Sequence, residues 1–168
     1  MTSGFRRLLM LRHAKAVSGL GTPDMTDHAR PLAERGRRDA VAMGVLMRER
    51  ALHPTVAMVS TTMRTRETFG LLGPFPDNEP RLLLADALYL AEPDTLLDML
   101  RKHGGDAQDV LLVGHNPGLH ELATQMAPPD DPLLDDAFPT CTLAVFSIEG
   151  SWASMTPAQA TLLHMLHP

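Results

Sequence analysis

The sequence predicts an α/β protein in which a mainly parallel sheet lies between layers of helices. Two observations support this prediction. Short apolar runs alternate with longer segments of helical periodicity, and each short run is continuously apolar, as expected for strands covered on both faces. The chain has 168 residues, a length that fits one domain with its own core. We therefore expect a single three-layer domain over residues 1–168.

The predicted elements alternate along the chain. The apolar runs are assigned as strands because they are short, and the intervening segments as helices because apolar side chains recur every three or four positions. The third helix has a proline in its first turn and ends before Gly104 and Gly105. A segment rich in proline and aspartate, 128–136, is predicted as a surface loop. In chain order, the elements are strand 8–11, helix 32–51, strand 56–59, helix 62–72, strand 81–84, helix 93–102, strand 110–113, helix 117–126, strand 142–148 and strand 160–166.

Composition and charge restrict the function. The formal net charge of −5 argues against duplex nucleic acid as a partner, although it allows a local basic pocket. Cys141 is the single cysteine, which excludes an internal disulfide and is typical of a reducing compartment. Only four apolar residues separate Arg7 from Arg12, too few for a signal sequence, and no apolar run is long enough to span a membrane. We expect a cytoplasmic monomer without a membrane or nucleic-acid partner.

Cationic and imidazole side chains follow three of the predicted strands. Arg12 and His13 come directly after the first strand, Arg64 follows the second after a short loop, and His115 follows the fourth. Ligands of open parallel sheets bind at the carboxyl ends of the strands, so we expect these side chains to converge. Two guanidinium groups and two imidazoles in a net-acidic protein suit a tetrahedral phosphoryl group.

The segment after the fourth strand adds to this anion site. Pro117 begins a helix and leaves backbone N–H groups free to face an anion, so Asn116 is counted among the phosphate-binding residues. An imidazole among fixed positive charges is kept neutral, and a neutral ring nitrogen is a competent nucleophile toward phosphorus. The alternative is that these residues are unrelated structural or surface side chains.

These motifs resemble those of the histidine phosphatase superfamily, which includes the phosphoglycerate mutases. The motifs are Leu11-Arg12-His13-Ala14-Lys15-Ala16, Ser60 with Arg64 and Thr68, and Gly114-His115-Asn116. Further features are similar to the small SixA-like branch of phosphohistidine phosphatases: the short chain, the segment 27–32, Leu88-Tyr89 and Trp152. One departure from most of the superfamily is Ala14, which stands where glycine is usual. The resemblance implies a phosphoglycerate mutase-like fold.

The resemblance also implies a role for each site residue. His13 would be the nucleophile that is transiently phosphorylated, and His115 would stabilise the developing charge. Arg12 and Arg64 would clamp the phosphoryl oxygens, which guanidinium forks can neutralise without a metal. We therefore expect no cofactor and no metal.

Phosphoryl transfer also requires a residue that donates a proton to the leaving group. The superfamily often places a carboxylate after the third strand, where Asp86 is the positional match and Glu92 is the other candidate. Asp86 alternatively caps a turn. Asp27 and Arg30 are expected to form a local ion pair at the rim of the pocket, and Lys15 is either a substrate contact or a solvated charge.

Two other chemistries find less support. His115 and His120 are five residues apart and would not share one helix face, as a metal-binding pair with Glu121 requires. Cys141 is not followed by the arginine of a cysteine-phosphatase loop, so it is predicted to be a small buried hydrophobe.

The sequence therefore predicts a metal-independent phosphatase with a phosphohistidine intermediate on His13, acting on phosphohistidine in a protein. One strand and one helix fill the interval between Thr68 and His115, which leaves no room for a lid insertion. An open site of this kind can admit a protein side chain. It can also admit a small phosphate ester, so a small-molecule phosphomonoesterase is the first alternative. A non-catalytic phosphate- or phosphoprotein-binding module is the second.

Overall fold

The computed structural model describes residues 5–20, 22–135 and 137–168. Residues 1–4, Gly21 and Asp136, the last in the predicted surface loop, lie outside the described residues. None of the described helices is long and apolar enough to cross a membrane.

Six strands form one sheet in the order β3-β2-β4-β1-β5-β6. The first four strands along the chain pair in parallel, whereas β5 runs antiparallel to β1 and β6 antiparallel to β5. The fold class predicted from the alternation of strands and helices is confirmed. The strands are β1 (Arg6–Arg12), β2 (Val56–Ser60), β3 (Arg81–Ala85), β4 (Asp109–Gly114), β5 (Leu143–Ile148) and β6 (Ala160–Leu166).

Four α-helices and several short 3-10 turns connect the strands. Two of these turns, Asp27–Ala29 and Asp86–Leu88, lie near the carboxyl ends of the parallel strands. The helices are α1 (Glu34–Glu49), α2 (Met63–Leu72), α3 (Pro93–His103) and α4 (Gly118–Met126). Each lies within the segment predicted to contain it, apart from one extra residue at the end of α3.

The inner strands of the sheet are buried on both faces, which makes three layers. Alternate side chains of a strand point to opposite faces, and in β1 Leu8 and Met10 pack into one core while Leu9 and Leu11 pack into the other. The first core includes side chains from α3 and α4, and the second includes side chains from α1 and α2. The inner strands are therefore fixed on all sides, and so are the residues that follow their carboxyl ends.

Candidate active site

His13 follows β1 and lies in the middle of the sheet edge. Its backbone N–H donates to the Gly114 carbonyl at 3.2 Å, which ties it to the end of β4. Its ring Nδ1 lies 2.7 Å from the Ala14 carbonyl. A carbonyl only accepts hydrogen bonds, so Nδ1 carries the proton and the lone pair of the neutral ring is on Nε2. Residue 13 therefore presents a nucleophilic nitrogen in a fixed tautomer.

His115 follows β4, next to His13. The two ring centroids are 5.4 Å apart and the ring planes are tilted by 56°. His115 Nε2 lies 2.8 Å from Ser60 Oγ, and its Nδ1 lies 3.3 Å from Nη2 of Arg64. Because a guanidinium only donates, the proton of neutral His115 is on Nε2 and points to Ser60. The structure thus brings His13, His115 and Arg64 together, as the strand-end argument expects.

Arg64 is buried at the start of α2, with 3% of its side chain exposed. The helix start is fixed by Thr62, whose side chain accepts from the Thr65 backbone N–H, and by Thr65, whose hydroxyl donates to the Ser60 carbonyl at 2.6 Å. Nη1 of Arg64 donates to the Asp27 carbonyl at 2.7 Å and Nη2 donates to Asp27 Oδ2 at 3.0 Å. Arg64 Nε is buried and has no hydrogen-bond partner among the described residues.

Arg12 is held by the loop that precedes β5. Its Nη1 donates to the Phe138 carbonyl at 3.0 Å, and its Nε is buried without a partner in the described part of the chain. Asn116 Nδ2 donates to the same carbonyl at 3.1 Å and to the Ala137 carbonyl at 2.8 Å. Phe138 adopts a left-handed backbone conformation, with φ of 48°, that is rare outside glycine. The Asn116 side-chain amide thus binds the loop at Phe138. In the segment that follows β4, only other groups, such as the backbone N–H groups, are free to face an anion.

Burial and positive charge keep both imidazoles neutral. Burial, with a smaller contribution from the charges of Arg64 and Arg12, lowers the pKa of His13 to about 4. Burial also lowers the pKa of His115 to about 3, with His13 and Arg64 as the next causes. The pKa of Arg12 is lowered by burial and by Arg64. Near neutral pH the site therefore combines two guanidinium cations with two neutral imidazoles.

The carboxylate of Asp27 accepts hydrogen bonds from three side chains at the rim of the pocket. Tyr89 Oη donates to Oδ2 at 2.6 Å, Arg30 Nε donates to Oδ1 at 2.9 Å, and Arg64 completes the set. The hydrogen bond from Tyr89 is the main cause that holds the pKa of Asp27 well below its usual range. The expected ion pair between Asp27 and Arg30 is present, but Asp27 also fixes the buried Arg64. Its role therefore extends beyond the local rim.

The side chains of Asp86 and His28 both contact the hydroxyl group of Thr61. Asp86 is exposed at the end of β3, and the Thr61 hydroxyl donates to its Oδ1 at 2.5 Å. Thr61 Oγ1 also lies 3.0 Å from His28 Nε2. Glu92, the other predicted carboxylate, is exposed at the N-cap of α3, and Lys15 is exposed after β1.

Sequence reasoning assigned no role to Ser60, Thr61, His28 or Tyr89. Ser60 and Thr61 directly follow the apolar run of β2, so the strand-end argument that found Arg64 could also have found them. The Tyr89 ring lies edge-on to His28 and to His115, with centroids 4.4 and 5.6 Å away. These contacts join the 3-10 turn Asp27–Ala29 to the end of β4, and nothing in the local sequence specifies them.

The rival sites take no part in this cluster. His120 Nε2 lies 3.1 Å from the Leu134 carbonyl, away from His115. Within the three described ranges, no three His, Cys, Asp or Glu side chains are grouped to hold a metal. Cys141 is buried, and burial raises the pKa of its thiol to about 12.

Comparison with known proteins adds a family to this geometry. No family model matches the chain. An uncharacterized protein of Mycobacterium tuberculosis is 32% identical over 159 residues, which are 91% of this chain and 96% of the relative. A candidate phosphohistidine phosphatase SixA from Nakamurella multipartitia has a TM-score of 0.84 and 31% identity, over 98% of this chain and 97% of that one. A second, from Agrobacterium tumefaciens, has a TM-score of 0.79 and 29% identity, over 97% and 99%.

The chain shares the fold of these two structures over nearly its whole length, and its two imidazoles at the edge of an α/β sheet fit a histidine phosphatase. On the identity and coverage of its relatives, the chain belongs to the small SixA-like branch of the histidine phosphatase superfamily.

Proposed function

We propose that this protein is a metal-independent phosphatase that removes phosphate from phosphohistidine on a protein, through a phosphohistidine intermediate on its own His13. The observation that supports this most is the fixed tautomer of His13, which leaves the lone pair on Nε2 of a ring that lies 5.4 Å from the His115 ring and whose pKa the charges of Arg64 and Arg12 help to lower. Such a nitrogen can attack phosphorus while the guanidinium groups neutralise the phosphoryl oxygens.

The buried atoms of the two arginines also support an anion. Arg12 Nε and Arg64 Nε are both buried without partners among the described residues, and a buried donor left unpaired costs about 1–3 kcal/mol. A phosphoryl oxygen would satisfy them. In this proposal Arg12 and Arg64 bind the phosphoryl group with His13 and His115, and the backbone of Asn116 faces the same group.

The substrate class is supported by the relatives and by the open rim. The relatives from Nakamurella multipartitia and Agrobacterium tumefaciens are both candidate phosphohistidine phosphatases of the SixA type. Thr61 and Tyr89 at the rim are partly exposed, so a side chain presented on a protein surface can reach the pocket. We also propose a monomer in the cytoplasm, in line with a single, buried cysteine.

The test is to trap the intermediate. The purified protein is mixed with a histidine-containing protein that has been phosphorylated by phosphoramidate, and separately with a panel of sugar and nucleotide phosphates. We expect a labile phosphate on His13, detected by mass spectrometry at alkaline pH, and faster release from phosphohistidine than from any ester. His13→Ala should lose both the label and turnover, whereas His164→Ala, an exposed histidine on β6, should keep them.

Each alternative function predicts a different result in this experiment. Faster turnover of one ester than of phosphohistidine would favour the small-molecule phosphomonoesterase. Binding without any label or turnover would favour the non-catalytic module. A His13→Ala variant that loses less than about tenfold in kcat/KM, about 1.4 kcal/mol in barrier, would place the nucleophile elsewhere.

A further inference from the structure

Three polar side chains, those of His28, Thr61 and Asp86, form a hydrogen-bonded chain at the edge of the sheet. His28 Nε2 is 3.0 Å from Thr61 Oγ1, and the Thr61 hydroxyl donates to Asp86 Oδ1 at 2.5 Å. The three residues come from the turn Asp27–Ala29, the end of β2 and the end of β3, so only the folded sheet joins them.

The hydrogens of this chain can be assigned. A carboxylate only accepts, so the single hydrogen of the Thr61 hydroxyl goes to Asp86. The Thr61 oxygen is then an acceptor toward His28, and His28 Nε2 must carry a hydrogen. Its other nitrogen, Nδ1, is the atom at which His28 can give or take a proton.

The order of the strands places this chain on the leaving-group side. His13 follows β1, and the sheet runs β3-β2-β4-β1, so Thr61 lies two strands away and Asp86 three, at about 4.8 Å per strand. Phosphoryl transfer needs the attacking and leaving atoms roughly in line. A phosphoryl group held by Arg64 and His115, between these strands, therefore has its leaving group directed toward β2 and β3.

The ring of His28 lies near the phosphoryl pocket. It packs at 4.4 Å against Tyr89, whose ring packs at 5.6 Å against His115. The neighbouring residue, Asp27, holds Arg64. His28 is half-buried.

We propose that His28 is a catalytic residue that protonates the leaving group, and that Thr61 and Asp86 are positioning residues that hold its ring. The proposal rests on the proposed phosphatase function. It differs from the sequence prediction, in which Asp86 itself supplies the proton, because Asp86 Oδ1 already accepts from Thr61, whose oxygen contacts His28.

The proposed reaction has two steps, phosphorylation of His13 and hydrolysis of the phosphoenzyme. His13 Nε2 forms a bond to phosphorus as the bond from phosphorus to the leaving nitrogen or oxygen breaks. The electron pair of that bond stays on the leaving atom, which takes the Nδ1 proton of His28 in its imidazolium form, and His28 is left neutral with its remaining hydrogen on Nε2. In the second step a water oxygen attacks phosphorus, the bond to His13 breaks with its electron pair returning to Nε2, and a water proton goes back to His28.

Leaving-group dependence tests this proposal. The two substrates are phenyl phosphate, whose phenolate leaves poorly, and 4-nitrophenyl phosphate, whose nitrophenolate needs little protonation. For His28→Gln, which keeps a donor toward Thr61, we expect kcat/KM on phenyl phosphate to fall by roughly 10² to 10⁴. On 4-nitrophenyl phosphate it should fall by less than about tenfold. Thr61→Val should show a smaller loss with the same substrate pattern, and the matched control His164→Gln should show none.

A second readout needs only the better substrate. Without His28 to accept a proton from water, phosphorylated His13 should accumulate during turnover of 4-nitrophenyl phosphate, and kcat should fall while kcat/KM is retained. Equal losses of kcat/KM on both substrates, or no accumulation of the phosphoenzyme, would overturn the role of His28. A substrate-dependent loss in Asp86→Asn but not in His28→Gln would assign the proton to Asp86 instead. Failure of the phosphatase function itself is distinct, because the wild-type protein would then form no phosphohistidine at all.

Discussion

Asp27 holds Arg64 at two points, with its backbone carbonyl 2.7 Å from Nη1 and its carboxylate 3.0 Å from Nη2. The guanidinium is almost fully buried, yet the residue that orients it is exposed at the rim. The direction of this proposed phosphate clamp is thus set by a side chain outside the core.

Removing this carboxylate should weaken catalysis without unfolding the protein. We expect Asp27→Ala to lower kcat/KM on 4-nitrophenyl phosphate by roughly tenfold to a hundredfold, because a hydrogen bond to a charged group contributes about 1.5–3 kcal/mol. Asp27→Asn keeps an oxygen that can accept from Arg64 and should lose less. Asp98→Ala removes a comparable exposed carboxylate, paired with Arg101 on α3, and should leave kcat/KM unchanged. An unchanged kcat/KM in Asp27→Ala would show that the backbone carbonyl alone orients Arg64.

Asp86→Asn should separate the two substrate classes. Asp86 positions His28 through the Thr61 hydroxyl, and an alkoxide leaves poorly without a proton, so hydrolysis of a phosphate ester should fall, but by less than the roughly 10² to 10⁴ expected for His28→Gln. The bond from phosphorus to an imidazole nitrogen is labile, and that nitrogen can be protonated from solvent in an open site, so turnover of phosphohistidine should fall much less. The comparison is of kcat/KM for the same variant on both substrates. Equal large losses would favour the small-molecule phosphomonoesterase, and no loss on either would make Asp86 a turn residue.

Activity should not depend on a divalent ion. Arg12 and Arg64 supply the positive charge that Mg²⁺ supplies in other phosphoryl-transfer sites, so EDTA should change kcat/KM by less than about twofold. The same EDTA stock must inactivate a zinc-dependent phosphatase in parallel. Strong inhibition that an added divalent ion reverses would contradict the prediction.

The two neutral imidazoles should make stability depend on pH in a defined window. Their pKa values, about 4 for His13 and about 3 for His115, lie below the ordinary value of about 6.5. The unfolded chain therefore binds protons that the folded chain does not, and the free energy of unfolding should decrease as the pH falls from about 6.5 to about 4. His13 alone should account for roughly 3 kcal/mol of this decrease.

Urea unfolding at a series of pH values measures this effect. His13→Gln should show a shallower decrease than the wild type across that window, and His164→Gln should follow the wild type. Parallel curves for His13→Gln and the wild type would show that the pKa of His13 is not lowered in the folded protein.

The fold and the main site residues could be predicted from the sequence, because both predictions depend on short apolar runs. Each run marks a buried strand, and the residues after it must lie at one edge of the sheet, which is how Arg12, His13, Arg64 and His115 were found together. The role of Asp27 was not accessible, since its contact with Arg64 joins segments 37 residues apart. The engagement of Asn116 by the loop at Phe138 was also missed, because it depends on a left-handed backbone at a residue type that rarely adopts it.

The position of β1 between β4 and β5 has a consequence for how the protein is made. Leu8 pairs with Val110 on one side and with Phe146 on the other. The strand β1, which His13 follows, can therefore pair with its neighbours only after segments more than a hundred residues later in the chain have been synthesized. Contacts of such long range form slowly, because the entropy of closing the loop must be lost before they stabilise anything. A nascent chain released before β5 would expose β1 as an edge strand, with its apolar residues open to other chains. Competence for phosphoryl transfer should therefore arise in one step with global folding, after β5 has been synthesized.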